Sequence, residues 1–232
     1  KMGRTQLQDA VPMTLGQEFK TFAVMIDADI FRLRDVQAHL REVNLGATAI
    51  GTGINSKAAY QRKVISNLRE VTGVDYIAAG DLIEATQDTG SFVHISGMLK
   101  SVAIKVSKIC NDLRLLSSGP RAGFNEINLP PMQPGSSIMP GKVNPVIPEV
   151  VNQVAFEVIG ADMTIAMASE GGQLQLNVFE PLIAYKLFTS INMMRRAFYS
   201  LGEKCVKGIT ANEEVCMENI LNSVTLVTCL NP

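Results

Sequence analysis

Charged side chains and metal-ligating side chains are both scarce in this sequence. Only 19% of its 232 residues are charged, and the formal net charge at pH 7 is −1. Such a balance gives no electrostatic reason for binding to nucleic acid or to an anionic membrane. The sequence has only two histidines, and its four cysteines form no C-x-x-C pair. A zinc cluster is therefore not expected, and we predict no metal site.

The sequence also lacks an uninterrupted hydrophobic run of membrane-spanning length. Its longest apolar tract, residues 150–168, is interrupted by polar and acidic side chains, so we expect it not to cross a bilayer. No secretory signal pattern opens the sequence. The cysteines are predicted to be free, mostly buried thiols in a reducing compartment, the cytoplasm. They are Cys110, Cys205, Cys216 and Cys229.

What the sequence does have is apolar residues at helical spacing. They make up 47% of the chain, which is enough for a sizeable core. Thr14, with Gln17 at the capping-box position, predicts the start of the first helix. Residues 1–12 are predicted to be an irregular polar lead, and residues 75–79 to be extended. The predicted helices run from Thr14 to about Asn44, from Ser56 to about Gly73, from Asp81 to the stop signal at Ser118, from Pro148 to the stop signal at Gly171, from Phe179 to Val206 and from Asn212 to Leu230.

These patterns predict an all-α fold. Several of the predicted helices approach roughly thirty residues, whereas the usual mean is about 11–12. Helices of that length cannot bury their apolar faces in a monomer of this size, so we predict an elongated bundle that is completed by oligomerisation. The helix that begins at Pro148 is apolar almost all round, which is typical of a bundle centre or a subunit interface.

One stretch between the predicted helices is rich in turn-forming residues. Residues 119–147 contain six prolines and four glycines within 29 positions. Loops this long without helices or strands are uncommon in compact domains and are usually functional or disordered. At its centre, residues 135–145 suit the binding of a carboxylate, because Lys142 supplies positive charge and Asn144 supplies hydrogen-bond donors. A plain connection between two helices would explain the same composition.

The same stretch resembles the signature loop of the fumarase/aspartase superfamily. The similarity extends over the whole chain. Residues 1–12 resemble the second conserved region of that superfamily, and residues 111–123 and 208–212 look most like its aspartate-deaminating members. The loop reads Gly135-Ser136-Ser137-Ile138-Met139-Pro140-Gly141-Lys142-Val143-Asn144-Pro145.

The resemblance implies an assembly larger than one chain. Residues 1–232 would be the central helical domain, without the N-terminal and C-terminal domains that family members have. In the family, four such domains form the twenty-helix core of a homotetramer, and each active site takes residues from three subunits. The resemblance further implies a small dicarboxylate substrate, no cofactor, and neither nucleic acid nor a membrane as a partner.

The reaction implied by the resemblance is the reversible deamination of L-aspartate to fumarate and ammonia. Ser136 would be the catalytic base, acting as an alkoxide on the Cβ proton to give an aci-carboxylate intermediate. Lys142 and Asn144 would bind the carboxylate that accepts the charge, and Thr5 and Gln6 would bind substrate from another subunit. The implied supporting residues are Gly135, Ser137, Ile138, Met139 and Glu149, with the backbone N–H groups of Ile138 and Met139 as candidate donors to the alkoxide.

Two other functions stay open at this point. Many members, including the hydratases, carry histidine at the position of Gln6, and glutamine cannot exchange protons in a relay with Glu149. Deamination is therefore favoured over the hydration of fumarate to L-malate. Val11, where hydratases usually have threonine, points the same way. The third reading is that this chain by itself is a non-catalytic, oligomeric helical core.

For four other polar residues we expect a structural role rather than a role in catalysis or binding. Arg114 and Arg121 are expected to form structural ion pairs rather than to bind an anion. His39 is expected to be a solvated residue on a helix face, and His94 to be packed within its helix.

Overall fold

A computed structural model describes residues 1–230 of the chain, and the side chains of residues 1–228. Helices dominate this part, which confirms the all-α prediction, and the strands occur only in pairs. The α-helices are α1 (Leu15–Val36), α2 (Ala58–Thr72), α3 (Glu84–Gln87), α4 (Gly90–Leu116), α5 (Val146–Glu170), α6 (Glu180–Lys204) and α7 (Glu213–Leu221). Short 3-10 helices occupy Gln37–Leu40, Val206–Gly208 and Val224–Leu230.

Three short two-stranded sheets accompany the helices. The strands are β1 (Met2–Thr5), β2 (Gln8–Pro12), β3 (Glu42–Val43), β4 (Ile77–Ala78), β5 (Ile127–Asn128) and β6 (Thr210–Ala211). Strands β1 and β2 pair antiparallel, β3 and β4 pair parallel, and β5 and β6 pair antiparallel. The pairing of β3 with β4 agrees with the predicted extension of residues 75–79.

The chain divides into two compact units, each with its own buried apolar side chains. The first unit comprises residues 1–28, 104–155 and 194 onward, and the second comprises residues 29–103 and 156–193. The core of the first unit includes Met2, Val106, Cys110, Leu113, Ile127, Val151, Ala197 and Leu201. The core of the second includes Val36, Ile65, Leu99, Val102, Val158, Ile165, Ile183 and Leu187. The assignment of residues 1–232 to one central domain stays a prediction.

Helix α1 begins where its capping box predicts. The backbone N–H of Gln17 donates to Thr14 Oγ1 at 3.0 Å, and the backbone N–H of Thr14 donates to Gln17 Oε1 at 2.9 Å. The predicted end near Asn44 is wrong, because α1 stops at Val36 and a 3-10 helix follows. Strand β3 then pairs with β4. This pairing involves backbone groups, so the spacing of apolar residues in the sequence does not predict it.

The helix predicted to start at Asp81 is interrupted. Asp81 Oδ1 accepts the backbone N–H groups of Ile83 and Glu84 at 2.8 and 3.0 Å, and Asp88 Oδ2 accepts that of Gly90 at 3.0 Å. The bonds of Asp81 lie at the predicted start of the helix, whereas the bond of Asp88 competes with the continuation of the helix. Two helices, α3 and α4, therefore replace the single predicted one.

Three further expectations need correction. The predicted cap at Ser56 is wrong, because Lys57 occupies the N-cap of α2 without a side-chain hydrogen bond, although Gly73 ends that helix with a φ of 68° as predicted. The helix predicted over 212–230 stops at Leu221. Residues 1–12 are not irregular but form the β1–β2 hairpin.

Helix α5 has the length and apolar composition of a membrane span. Its polar side chains are nevertheless paired within the protein. Asn152 donates to the Ser107 hydroxyl at 2.8 Å, and Asp162 forms an ion pair with Lys100. Core helices outside membranes meet the same length and composition, and these pairings favour a packed helix.

We expect Thr14→Ala to lower the free energy of unfolding by about 1 kcal/mol, because it removes the α1 cap. Thr21→Ala is the matched control in the same helix. The Thr21 hydroxyl only donates back to Gln17 O at 3.0 Å, and its loss should change stability by less than about 0.5 kcal/mol. Urea unfolding of both variants measures the difference, and equal effects would contradict the capping role.

Candidate functional site

The loop over residues 135–145 folds back around the hydroxyl of Ser136. Ser136 Oγ accepts the backbone N–H groups of Ile138 at 3.2 Å and Met139 at 3.1 Å. Two N–H dipoles therefore direct positive potential at one oxygen, which is the arrangement that stabilises an anion. The side chain of Ser136 is half-buried, whereas its neighbours in the loop are exposed.

Backbone hydrogen bonds close the loop. The N–H of Ser136 donates to the carbonyl of Lys142 at 3.1 Å, and the N–H of Lys142 donates to the carbonyl of Met139 at 3.1 Å. Gly141 has a φ of 81°, and nothing lies within 4 Å of the position that a Cβ would take. Backbone conformation, rather than lack of space, is thus the reason for glycine at this position.

The side chains of Lys142 and Asn144 are both exposed. Within residues 1–228, neither side chain forms a hydrogen bond or an ion pair, and the same holds for the hydroxyl of Ser137. The loop therefore brings Ser136 together with the backbone of Ile138, Met139 and Lys142. The donors on Lys142 and Asn144 stay available for a ligand.

Thr5 and Gln6 lie at the tip of the β1–β2 hairpin. Thr5 pairs with Gln8, so Gln6 and Leu7 form a two-residue turn, with φ values of 53° and 64°. Turns of this kind usually contain asparagine or glycine, because other residues resist positive φ. Strained backbone of this sort is concentrated at functional sites. Among the residues whose side chains are described, no hydrogen bond joins this turn to the 135–145 loop.

A cavity of about 170 Å³ lies in the first unit beside the hairpin. Its lining includes Arg4, Leu7, Lys108, Asp112 and Phe124, and it contains none of the predicted loop residues. No pattern in the sequence predicts this cavity. Only the spatial approach of β1 to the end of α4 could have revealed it.

Glu149, in the first turn of α5, lies beside a polar cluster that links α5 to α4. Its Oε1 is 3.9 Å from a guanidinium nitrogen of Arg114, which confirms the structural ion pair predicted for that arginine. Another guanidinium nitrogen of Arg114 donates to Asn152 Oδ1 at 3.2 Å. Asn152 Nδ2 donates in turn to the Ser107 carbonyl at 3.0 Å and to Asn111 Oδ1 at 3.0 Å. The role of Asn152 is not predicted from the sequence, because this residue lies within an apolar run.

The thiols of Cys110, Cys205 and Cys216 are buried and free, as predicted. Burial, with a smaller contribution from neighbouring Cys205, raises the pKa of Cys110 to about 12, and Arg114 partly offsets this rise. Burial raises the pKa of Cys205 to about 11. Burial, and next the Glu126 carboxylate, raises the pKa of Cys216. The prediction for Cys229 concerns a side chain outside the described part of the chain.

The two histidines lie side by side, with ring centroids 5.1 Å apart. His39 is exposed as expected, whereas the packed position expected for His94 is wrong, because that side chain is exposed as well. In the part of the chain that the structure describes, no group of three or more His, Cys, Asp or Glu side chains is placed to hold a metal ion. Neither histidine lies in the loop or the hairpin.

The family model described as Lyase matches residues 1–160, so the chain belongs to this family. The resemblance to the fumarase/aspartase superfamily is thereby confirmed.

Two curated relatives show which members of this family the chain is similar to. The chain is 66% identical to the aspartate ammonia-lyase of Helicobacter pylori, covering 100% of this chain and 50% of that protein. It is 65% identical to the aspartate ammonia-lyase of Pseudomonas aeruginosa, covering 100% of this chain and 49% of that protein. The chain thus spans about half the length of the curated relatives it matches.

Solved structures confirm the fold. The fumarate lyase:delta crystallin from Brucella melitensis bound to cobalt superposes with a TM-score of 0.97 at 58% identity, covering 99% of this chain and 50% of that one. A class II fumarase from Schistosoma mansoni superposes with a TM-score of 0.96 at 33% identity, covering 99% of this chain and 51% of that one. The fold is therefore shared with a fumarate lyase:delta crystallin and with a class II fumarase.

We expect iodoacetamide at pH 8 to leave Cys110 and Cys205 unmodified in the folded protein, because their raised pKa values keep the unreactive neutral thiol. Peptide mass spectrometry measures the labelling, and the urea-unfolded protein is the control in which both must react. The unfolded thiol has a pKa of about 8.5, so the stability that these neutral thiols contribute is lost as pH rises above that value. Rapid labelling of the folded protein at either position would contradict this account.

Proposed function

We propose that the protein containing this chain catalyses the reversible deamination of L-aspartate to fumarate and ammonia. The observation that carries the proposal is the pair of backbone N–H groups directed at Ser136 Oγ within the family's signature loop. The identity of 66% to an aspartate ammonia-lyase, against 33% to a fumarase, favours aspartate as the substrate.

The chemical difficulty of this reaction is the weakly acidic Cβ proton. In the proposed step, Ser136 Oγ acts as an alkoxide and takes this proton. The electron pair of the broken C–H bond moves into the neighbouring carboxylate, which becomes a dianionic aci-carboxylate. The pair then forms the carbon–carbon double bond as the C–N bond breaks and ammonia leaves. Fixed positive potential where the charge grows lowers the barrier to the first step.

The loop supplies two kinds of positive potential. The N–H groups of Ile138 and Met139 stabilise the Ser136 oxygen as it loses its proton, because hydrogen bonds to the charged form lower its pKa. Lys142 and Asn144 are exposed and free to bind the carboxylate that becomes dianionic. Gly135 and Ser137 flank the base in the loop, and Glu149 supports its far end.

Thr5 and Gln6 would complete the site from another copy of the chain. They are exposed at a hairpin tip and have no described bond to the loop, which suits residues that serve a neighbouring subunit. Their hydroxyl and carboxamide can donate hydrogen bonds to a second carboxylate. In this arrangement one loop holds the carboxylate that accepts charge, and the turn of another subunit holds the rest of the substrate.

Exposed apolar side chains support assembly as a homotetramer. Phe156 and Met167 on α5 are 63% and 66% exposed in the single chain, and Phe188 on α6 is 66% exposed. Burial of one such side chain contributes a stabilising free energy of about 1.5–3 kcal/mol, which a single chain does not gain. Four copies that pack these helices together would recover that stabilisation. A cytoplasmic location accords with the free thiols.

Fumarate hydratase is the second candidate, and the exposed Gln6 disfavours it. A hydratase must activate water, and glutamine at this position cannot pass a proton to Glu149. For the chain taken alone, a non-catalytic oligomeric core is the expected behaviour. It spans about half the length of its relatives, so a site that needs residues from the other half would be incomplete.

In the complete protein, we expect Ser136→Ala to lower kcat for L-aspartate at least about a hundredfold, because general base catalysis typically contributes 10²–10⁴-fold. Thr21→Ala is the control, because it removes a hydroxyl on α1 outside the site, and it should change kcat by less than about threefold. Steady-state assay of fumarate formation measures both. Retention of more than about 5% of turnover by Ser136→Ala would remove this residue from the role of base.

A comparison of substrates tests the choice of reaction. We expect the complete protein to convert L-aspartate with a kcat/KM at least about a hundredfold higher than that for L-malate, because Gln6 leaves no residue to activate water. The isolated 232-residue chain, assayed beside it, should be helical and oligomeric but inactive. Preferential turnover of L-malate would favour the hydratase, and turnover by the isolated chain would contradict a site completed by regions outside it.

A further inference from the structure

We infer that Arg4 and Glu126 are positioning residues, which fix the hairpin turn that presents Thr5 and Gln6 to the substrate. The inference rests on the proposed function, because it gives the turn a task in that reaction. Neither residue is among the site residues predicted from the sequence. Both act through the turn and are not argued to touch the substrate.

The side chain of Glu126 is completely buried and faces two cations. Its Oε1 accepts a hydrogen bond from a guanidinium nitrogen of Arg4 at 2.7 Å, and its Oε2 lies 3.2 Å from Nζ of Lys1. The guanidinium of Arg4 also lies 4.1 Å from the ring centroid of Phe124. A charge-assisted hydrogen bond on one side and a stacked ring on another fix both the direction and the plane of the Arg4 side chain.

The backbone of Glu126 is held independently of the hairpin. Its N–H donates to the carbonyl of Leu116, at the end of α4, at 2.9 Å. Its carbonyl accepts the N–H of Asn212, just before α7, at 2.9 Å. The carboxylate therefore extends from backbone that is tied to the ends of two helices, and it provides a fixed point for the hairpin.

The turn itself has few contacts to hold it. Thr5, Gln6 and Leu7 are exposed, and the last two have positive φ. Non-glycine residues persist in that conformation only where the surrounding structure enforces it. A two-stranded hairpin by itself is only marginally stable in water. Arg4 directly precedes Thr5, so its contacts with Glu126 and Phe124 act at the base of the turn.

A purely structural ion pair is the competing explanation. Apolar residues of similar volume usually stabilise a buried position as well as an ion pair does, or better. A planar charged group at position 4 is therefore not needed for stability alone. What the pair adds is a defined orientation of the strand that leads into the turn. The two explanations differ in their effect on KM, which a structural pair far from the substrate would not change.

The test compares Arg4→Lys and Glu126→Gln with the wild type in the complete, assembled protein. If the pair positions the turn, both variants raise KM for L-aspartate about tenfold or more, while kcat changes less than about threefold, because the turn binds substrate and transition state alike. Arg4→Lys keeps the positive charge and loses the planar fork and the stacking. Asp162→Asn is the matched control, since it breaks a part-buried pair with Lys100 in the second unit. It should lower stability without changing KM.

Amide hydrogen exchange over residues 2–12 gives a readout that does not need activity. We expect exchange of the hairpin to be about tenfold faster in Arg4→Lys and Glu126→Gln, and unchanged in Asp162→Asn. If Glu126→Gln fails to fold, the double variant Arg4→Met with Glu126→Met takes its place, because it leaves no unpaired carboxylate or guanidinium. That variant should show the same rise in KM.

The outcomes separate the inference from the proposed function. An active wild type whose folded variants keep a normal KM, or keep the exchange rate of the hairpin, overturns the positioning role alone. A wild type that does not deaminate L-aspartate overturns the proposed function, and the positioning role with it. A raised KM together with faster hairpin exchange supports both.

Discussion

The contact between the Ser136 hydroxyl oxygen and the backbone N–H groups of Ile138 and Met139 is the interaction on which the proposed chemistry depends. A serine hydroxyl is too weak an acid to ionise near neutral pH unless several dipoles or charges stabilise its oxygen together. Backbone N–H groups do so without moving, because the fold of the loop holds them in place. Lys142 takes part twice, since its carbonyl closes the loop on the Ser136 N–H and its side chain carries the positive charge.

Helix α5 determines where this loop ends. Helix α4 ends before it and α5 begins directly after it, and Asn152 joins the two through hydrogen bonds to Ser107 and Arg114. A buried amide whose donors and acceptor are all satisfied fixes the register of two helices more strictly than apolar contact does. The loop is thus anchored where α5 begins, while its centre stays exposed. This is the arrangement required of a segment that must open for a substrate and close over it.

Helical periodicity predicted the long helices because their apolar faces dominate the local pattern. It failed where a side chain or a turn overrides that pattern. Asp88 bonds to nearby backbone and divides a helix that the apolar residues alone would continue. The β1–β2 hairpin was not predicted, because its turn contains neither glycine nor asparagine. The residue types of the loop were predictable from its motif. The bond between Arg4 and Glu126 was not, since it joins positions 122 residues apart and follows no period.

The chain leaves both halves of the proposed site open to solvent. Lys142 and Asn144 are exposed on the loop, and Thr5 and Gln6 are exposed on the hairpin. Two unit charges 4 Å apart interact by about 1 kcal/mol in water and by about 4 kcal/mol near a protein surface, so a charge-stabilising site works poorly until water is excluded. Exclusion of water would also stabilise the exposed apolar faces of α5 and α6. Association of several copies would bury those faces and enclose the loop of one copy with the turn of another. In the proposed assembly, the same contacts between copies would exclude water from the apolar helix faces and from the proposed site.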